Sequence, residues 1–423
     1  MSAPFALVDA NNFYASCEKV FQPALRDLPL VVLSNNDGCI VARSAEAKAL
    51  GMPMGAPIHE WRDFCRHHGV VIKSSNYVLY GDMSSRMLRI LQEHSPHVES
   101  YSIDESFLSL AGFDNLTERG HEMRADVLRR IHITCGVGIG PSKTLAKFAN
   151  HIAKKHAEWR GVFNTLEHPP ALIDELMASY PVTEVWGVGR RLGQRLEALG
   201  IQTVLDLRKA EPRDIRRDFG VVLERTVREL NGTSCLELEE VAPDKQQIMS
   251  SRSFGELVFR LEDLQAAVSA FTARAAEKLR SQGSETQMIY VSIRTNPFRE
   301  QDAQYRPSIA VPLAHPSADT RVLTAAAVRG LRAIYKPGFR YKKAGIMLAE
   351  ITPAGSAQTD LFAPAPDPKR AKLMALVDTI NRTQGRDTIH LASQGLSDLW
   401  KMRATGRSAR FTTCWEELPV VKA

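Results

Sequence analysis

The sequence is poor in cysteine, and the little it has is scattered. Its 6 cysteines, Cys17, Cys39, Cys65, Cys135, Cys235 and Cys414, show no CxxC spacing. That speaks against a zinc site and against a disulfide framework, and it fits a reducing compartment. Long hydrophobic runs are also missing. No apolar stretch of about 18 residues occurs, so no membrane-spanning helix is expected. The opening MSAPFALVDANNFYAS meets an Asp too early for a signal peptide, and no internal repeat is found. Nor is there a large excess of one charge: the net value is +6, which favours a polyanionic partner if the basic residues cluster. What is present, 44% hydrophobic and 24% charged residues, describes an ordinary globular protein. At 423 residues the chain exceeds what one core supports, so roughly two to four domains are expected.

Along the chain, Phe5 to Val8 reads as a short buried strand that ends near Asp9 and turns toward a helix. LPLVVLSNNDGCIVARS reads as two strands around NNDG, a hairpin signal because Asn, Asp and Gly tolerate positive φ. AEAKALGMPMG follows as a helix stopped by Gly51 and Pro53. VVIKSSNYVLYGDMSSRMLRILQEHSP predicts a strand and a helix, and VESYSIDESFLSL a strand pair. HITCGVGIGPSKTLAKFANHIAKKH reads as strand, Gly-rich turn and helix. On that helix Leu145, Phe148 and Ile152 recur at the spacing of a buried face, while Lys143, Lys147, His151 and Lys154 form a separate stripe. The stripe is either a solvated face or, following a Gly-rich turn, a phosphate contact.

From 166 to 232 the pattern is helical. VWGVGRRLGQRLEALGI carries Gly187 and Gly189 ahead of a basic helix, which suits either a helix-hairpin-helix that brings backbone N–H groups to a phosphate or a plain tight turn. The acidic segment 233–245 reads as a linker. Beyond it the order strand 248–258, helix 261–281, strand 287–295, strand 307–313, helix 319–336, strand 343–352 predicts a βαββαβ domain of α+β type. Its basic surplus, including Arg252, Arg274, Arg294 and Lys343, fits a surface that tracks a duplex backbone. PAGSAQTDLFAPAPDPKRAK is Pro- and Ala-rich and is expected to be disordered. The remaining tail shows one amphipathic helix.

The stretch YSIDESF sets Asp104 and Glu105 side by side. Like charges about 4 Å apart repel by about 1 kcal/mol in water and about 4 at the effective dielectric of a protein surface, so either a solvated turn or a compensating cation is called for. Hard ions such as Mg²⁺ take oxygen ligands and keep waters. Successive strand residues face opposite sides, so both carboxylates reach one site only at a bend or strand end. Asp9, at the end of the first strand, is the candidate third acid.

Taken together, DANNFYASCE, NNDGCIVARSAEAKALG, SSNYVLYGDMS, YSIDES, CGVGIGPSKTLAKFANHIAKK and VWGVGRRL resemble the Y-family translesion DNA polymerases. Within that family the chain is most similar to its UmuC-type branch, the catalytic subunits of DNA polymerase V, over nearly its full length. The resemblance implies a multidomain right-hand architecture of α+β class with a mixed sheet. The palm would be 1–14 and 77–165, the fingers 15–76, a helix-hairpin-helix thumb 166–232, a linker 233–245, a little finger 246–352 and a largely irregular tail 353–423.

The same resemblance makes Asp9, Asp104, Glu105 and the main-chain carbonyl of Ala10 the ligands of two Mg²⁺ ions, with Asp104 and Glu105 catalytic. Tyr14 matches the steric gate under the sugar, and Phe13 beside it is assigned to packing at the nucleotide site. Ile40 and Val41 would roof the nascent base pair. Lys154 matches a triphosphate contact. Lys48 stands where many relatives carry Arg, and Ala45 where many carry Tyr; Lys lacks the bidentate fork of Arg, and Arg43 is the candidate to compensate. Gly187, Gly189, Arg190 and Arg252 would contact DNA.

Gln358, Leu361 and Phe362, within QTDLF, are similar to the sliding-clamp peptide of bacterial polymerases, with the two apolar residues as anchors. Implied partners are primer-template DNA, deoxynucleoside triphosphates, a cleaved UmuD-type dimer, a RecA filament and the beta sliding clamp, in a bacterial cytoplasm near the nucleoid. The expected activity is error-prone, templated DNA synthesis in the SOS response. Two other readings are a two-metal nuclease or nucleotide cyclase, and an inert DNA- or clamp-binding scaffold that keeps the fold; retention of Asp9, Asp104 and Glu105 counts against the scaffold.

Overall fold

The structure, a computed structural model, describes residues 3–241, 243–356, 368–395, 400 and 402–418. The chain forms two compact units, one of Met1–Ser34, Gly38–Ala242 and Gly406–Ala423, the other of Asn35–Asp37 and Pro243–Thr405. No helix among the described residues is long and apolar enough to cross a membrane.

In the first unit the strands are β1 (Phe5–Ala10), β2 (Leu30–Leu33), β3 (Ile40–Arg43), β4 (Val71–Ser74), β5 (Val98–Ser100), β6 (Glu105–Ser109), β7 (Cys135–Gly140) and β8 (Val162–Asn164). A five-stranded sheet runs β5-β6-β1-β7-β8. The apolar run of β1 is what a central strand covered on both faces requires, and Asp9 is its one residue that is not buried. Side chains alternate across the sheet. Ala6, Val8 and Ala10 face a core built with Leu79, Met83, Met87, Met123 and Val127 from helices Tyr77–His94 and Leu116–Ile131. Phe5 and Leu7 face the other way, with Phe107 and Ala146. Asp9 therefore lies on the face covered by helix Lys143–Lys155.

That helix sits unusually close. The glycines of CGVGIG are not a turn, as the sequence suggested, but strand β7 itself. A Cβ built on Gly138 would lie 2.0 Å from the backbone nitrogen of Asn150 and 2.2 Å from the Ala146 carbonyl oxygen, so any side chain there would drive the helix off the sheet. The start of the helix is likewise no phosphate cradle. The buried Glu229 carboxylate accepts from the Thr144 backbone N–H at 2.9 Å and from its hydroxyl at 2.8 Å, already filling the positive end of the helix.

A three-stranded sheet, β3-β2-β4, adds a smaller core of Val31, Leu33, Ile40, Met52 and Ile58. Residues 170–230 are helical as expected and pack on Leu145, Phe148 and Ile152 of the Lys143–Lys155 helix. Segment 233–241 lacks regular structure yet is pinned: Lys143 donates to the Glu237 carbonyl at 2.6 Å and the Glu239 N–H to Glu99 at 2.9 Å.

The second unit carries β9 (Ile248–Val258), β10 (Ser284–Thr295), β11 (Ser308–Ser317) and β12 (Tyr341–Pro353) in the order β11-β10-β12-β9, all antiparallel. Helices Leu261–Ser281 and Thr320–Ile334 share one buried core with the sheet, completing the expected βαββαβ order. Helix Pro368–Thr383 is tied on by Arg280, which makes two 2.7 Å bonds to Asp378.

Candidate functional site

The acids meet because of register and a bend. In the antiparallel β1–β6 pair Asp9 stands directly opposite Glu105, on the same face as Leu7 and Phe107. Asp104 precedes β6 in a bend in which its N–H and that of Glu105 donate to the Ser102 hydroxyl at 3.3 and 3.1 Å, while that hydroxyl donates to Asp104 at 2.6 Å. The Ala10 N–H closes the bend by donating to the Asp104 carbonyl at 2.9 Å. The bend is what lets neighbouring carboxylates approach one region.

Two ammonium groups answer these acids. Lys154 lies 2.7 Å from Asp9, and Lys147 holds both oxygens of Glu105 at 3.0 and 3.1 Å. The basic stripe is therefore neither a solvated face nor a bare phosphate clamp; it is the counter-charge of the acids. Lys147 is also packed over the rings of Tyr101 and Trp186, at 4.5 and 5.0 Å from their centroids. Lys154 can reach Asp9 because position 136, beside Asp9 in register, is glycine; a Cβ there would lie 2.9 Å from the lysine stem. Burial raises the pKa of Asp9, Lys154 pulls it back only in part, and the neighbouring Glu105 and Asp104 push it up further. Asp9, Glu105, Lys147, Lys154, His151 and Trp186 line one cleft of about 260 Å³.

More cations stand near by. Lys48 has its pKa lowered by burial and then by the positive charges of Arg43 and Lys154, so the three form one electropositive group beside Asp9. Arg43 is anchored by donating to the Met52 carbonyl. The aromatic pair divides as expected in burial: Phe13 is in the core and Tyr14 is half-buried. Tyr14 stacks on Tyr80 at 4.5 Å and meets Tyr77 edge-on at 6.0 Å. Those two platform residues went unnoticed in the sequence, although their i, i+3 spacing in YVLY sets them on one helix face.

Other candidates are less concentrated. Ile40 has no exposed surface and packs in the smaller core, so it offers nothing to a base pair; alternation along β3 gives that exposure to Val41 instead. Ala45 is exposed in the turn of helix Ala45–Ala49. Gly187 takes φ of +88° and Gly189 caps helix Arg190–Glu197, whose first residue Arg190 is exposed. Arg252 is exposed on β9 in the second unit. Gln358, Leu361 and Phe362 lie outside the described residues. Among the described residues no group of three or more His, Cys, Asp or Glu closes into a metal cage as it stands.

Comparison with known proteins places the chain in a family. Residues 8–151 match the impB/mucB/samB family and residues 245–361 the C-terminal domain of that family. Residues 170–201 match the IMS family HHH motif, and residues 371–421 a domain of unknown function. The chain is 49% identical to Protein UmuC of Salmonella typhimurium over 99% of this chain and 100% of that one. It is 46% identical to Protein SamB of the same organism, covering 99% of each. A DNA polymerase IV of Pelotomaculum thermopropionicum is 27% identical over 97% of this chain and 100% of that one. Among solved structures, a Y-family DNA polymerase chimera of Dbh and Dpo4 superposes with a TM-score of 0.65 at 21% identity, covering 83% of this chain and 99% of that one. An insertion ternary complex of Dbh DNA polymerase shares the fold at 0.54 and 22%, with the same coverage of 83% and 99%.

Proposed function

This chain belongs to the impB/mucB/samB family, and from that membership and the site we propose that it is an error-prone translesion DNA polymerase of the Y-family. It adds deoxynucleotides to a primer 3′-OH opposite damaged bases by template-directed nucleotidyl transfer, within the SOS response to DNA damage. The observation that carries this reading is the facing pair Asp9 and Glu105 with Asp104 beside it, at a cleft where Lys154 and Lys147 pair with the two facing acids.

The donor set fits divalent metal. All candidate ligands are hard oxygens, and Mg²⁺ is held by one or two carboxylates plus substrate phosphates rather than by a complete protein cage, so an open set of carboxylates balanced by lysines is the arrangement it needs. Asp9, Asp104, Glu105 and the Ala10 carbonyl would hold two such ions. When bound, they would neutralise phosphate charge and lower the pKa of the attacking hydroxyl.

The residues of the chain do the rest. Lys154, Lys48 and Arg43 draw in the triphosphate and offset its charge. Tyr14, fixed by stacking on Tyr80, occupies the space a ribose 2′-OH would need. Val41 roofs the base pair loosely because its side chain is short. Gly187, Gly189 and Arg190 follow the primer-template backbone by main-chain N–H and charge, and the basic face that includes Arg252 adds a second track. Catalysis then rests on alignment and charge rather than on a covalent intermediate.

In the domain terms of the family, the palm is 1–14 and 77–165, the fingers 15–76, the thumb 166–232 and the little finger 246–352. The tail from 353 would bring the sliding clamp through Gln358, Leu361 and Phe362 and engage a cleaved UmuD-type dimer, with activation by a RecA filament, in the bacterial cytoplasm. The test is incubation of one labelled primer-template with the full-length protein, Mg²⁺ and deoxynucleotides, with and without clamp, UmuD-type dimer and RecA filament. Template-dependent lengthening across an abasic site is expected. Shortening of the same strand would give the nuclease reading, and neither change in any combination would give the scaffold.

A further inference from the structure

The end of the chain returns to the first unit and is held there by specific buried groups. The Ser74 N–H donates to the Gly406 carbonyl at 3.1 Å, and the Gly406 N–H to the Ser74 hydroxyl at 2.9 Å. The Asn76 side chain, 1% exposed, caps helix Tyr77–His94 by accepting from the Leu79 N–H at 3.4 Å. Its amide nitrogen is given wholly to the tail, donating to the Ser408 carbonyl and hydroxyl at 3.0 Å each and to the Ala409 carbonyl at 3.1 Å. Phe411 stacks on Phe21 at 5.1 Å.

The contacts lead to Tyr14. The Ser408 hydroxyl donates to Oε1 of Glu18 at 3.0 Å, and the same oxygen accepts from the Tyr80 hydroxyl at 2.6 Å. Glu18 is fully buried, and so is Tyr80. A carboxylate taken out of water needs its hydrogen bonds, so Ser408 and Tyr80 are bound to each other through it. The ring of Tyr80 is the one on which Tyr14 stacks, and Tyr77, which meets Tyr14 edge-on, begins the helix that Asn76 caps. Chain ends without such ties stay solvated and loose. Here Ser408 and Ala409 give polar groups to Asn76 and Glu18, the two residues that hold the platform tyrosines.

We propose that residues 406–411 are a positioning clasp for Tyr14, through which the C-terminal tail sets how strictly the active site excludes a ribose 2′-OH. The clasp rests on the reading of Tyr14 as the sugar gate. It gives a part to a stretch that the family comparison matches to a domain of unknown function. Ser408 is thus a positioning residue, remote from the reacting atoms.

The test is single-turnover incorporation of ATP against dATP opposite template thymine by the full-length protein and its Ser408→Ala, Ser408→Thr, Phe411→Ala and Tyr14→Ala variants. Ser408→Ala is expected to raise the ATP-to-dATP ratio roughly tenfold, the scale of one lost buried hydrogen bond, with dATP incorporation nearly unchanged. Ser408→Thr, which keeps the hydroxyl, should restore the ratio, and Phe411→Ala should shift it as Ser408→Ala does. If Ser408→Ala and Phe411→Ala discriminate like the unaltered protein while Tyr14→Ala relaxes selection, the tail is only a structural strap and the clasp is refuted, whatever the melting temperatures do. If Tyr14→Ala leaves selection intact, the gate reading itself fails and takes the clasp with it.

Discussion

Three lysines on helix Lys143–Lys155 each face a glutamate or aspartate, yet the pairs are put to different uses. Lys143 and Glu99 keep 5% and 7% of their side-chain surface, Lys147 and Glu105 keep 16% and 19%, and Lys154 and Asp9 keep 28% and 21%. Segment 233–241 accounts for the first value, because its Glu237 carbonyl accepts from Lys143 and its Glu239 N–H donates to Glu99. Among the described residues no backbone group bonds the charged ends of the other two pairs in this way, and both pairs line the cleft. The lesson is that the chemistry of an ion pair does not decide its role; its cover does. A sealed pair is part of the fold, and an open pair is a place where another cation can take over from an ammonium.

That contrast can be broken most severely at its open end. Changing Asp104 and Glu105 together to Ala should lower primer extension by on the order of 10³-fold or more, the scale on which positioned electrostatic groups act, while gel-shift affinity for primer-template is kept; near-normal synthesis would end the assignment. At the sealed end, Lys143→Ala strands a buried carboxylate and should cost about 3–5 kcal/mol in urea unfolding. Lys147→Ala should cost only about 1 kcal/mol, as a pair with access to water, and equal losses would show that cover makes no difference.

Smaller effects sharpen the comparison. Gly136→Ala puts a methyl group against the stem of Lys154 and should raise KM for the deoxynucleotide by roughly tenfold with kcat less affected, a loss of positioned charge; an unchanged KM would remove Lys154 from triphosphate binding. Glu18 is the control with hydroxyl partners in place of an ammonium. Burial raises its pKa, opposed by the Tyr80 and Ser408 hydroxyls and, more weakly, by Lys73. With the folded pKa above the unfolded one, its stabilising contribution is present below the usual glutamate pKa of about 4.5 and is lost as pH rises through the folded value. Glu18→Gln should therefore flatten that part of the stability profile, read from urea midpoints at mildly acidic and neutral pH.

Much of this was legible in the sequence because it is local. The apolar run of β1, the 3.6-residue period of the Lys143–Lys155 helix and the βαββαβ order all follow from spacing, and the bend that Asp104 and Glu105 require is the one Ser102 makes. What stayed hidden joins residues far apart in the chain. The role of the stripe depends on Asp9 and Glu105 facing it across the sheet, and the Ser408 to Glu18 bond spans 390 residues. CGVGIG misled for a different reason: glycine at every second position is as much the mark of a strand under a close helix as of a turn, and only the neighbour tells which. Segment 233–245 read as a linker from its composition, whereas the bonds of residues 233–241 are made chiefly by their backbone, which composition does not report.

The bare face of Gly138 has a further consequence. Because the helix rests there on main chain alone, the reach from Lys147 and Lys154 to their acids is gauged by peptide geometry and not by the bulk of interchangeable side chains. Substitutions elsewhere in the interior can drift without resetting that gauge, so the spacing of charges in the cleft is insulated from the ordinary wear of a changing core.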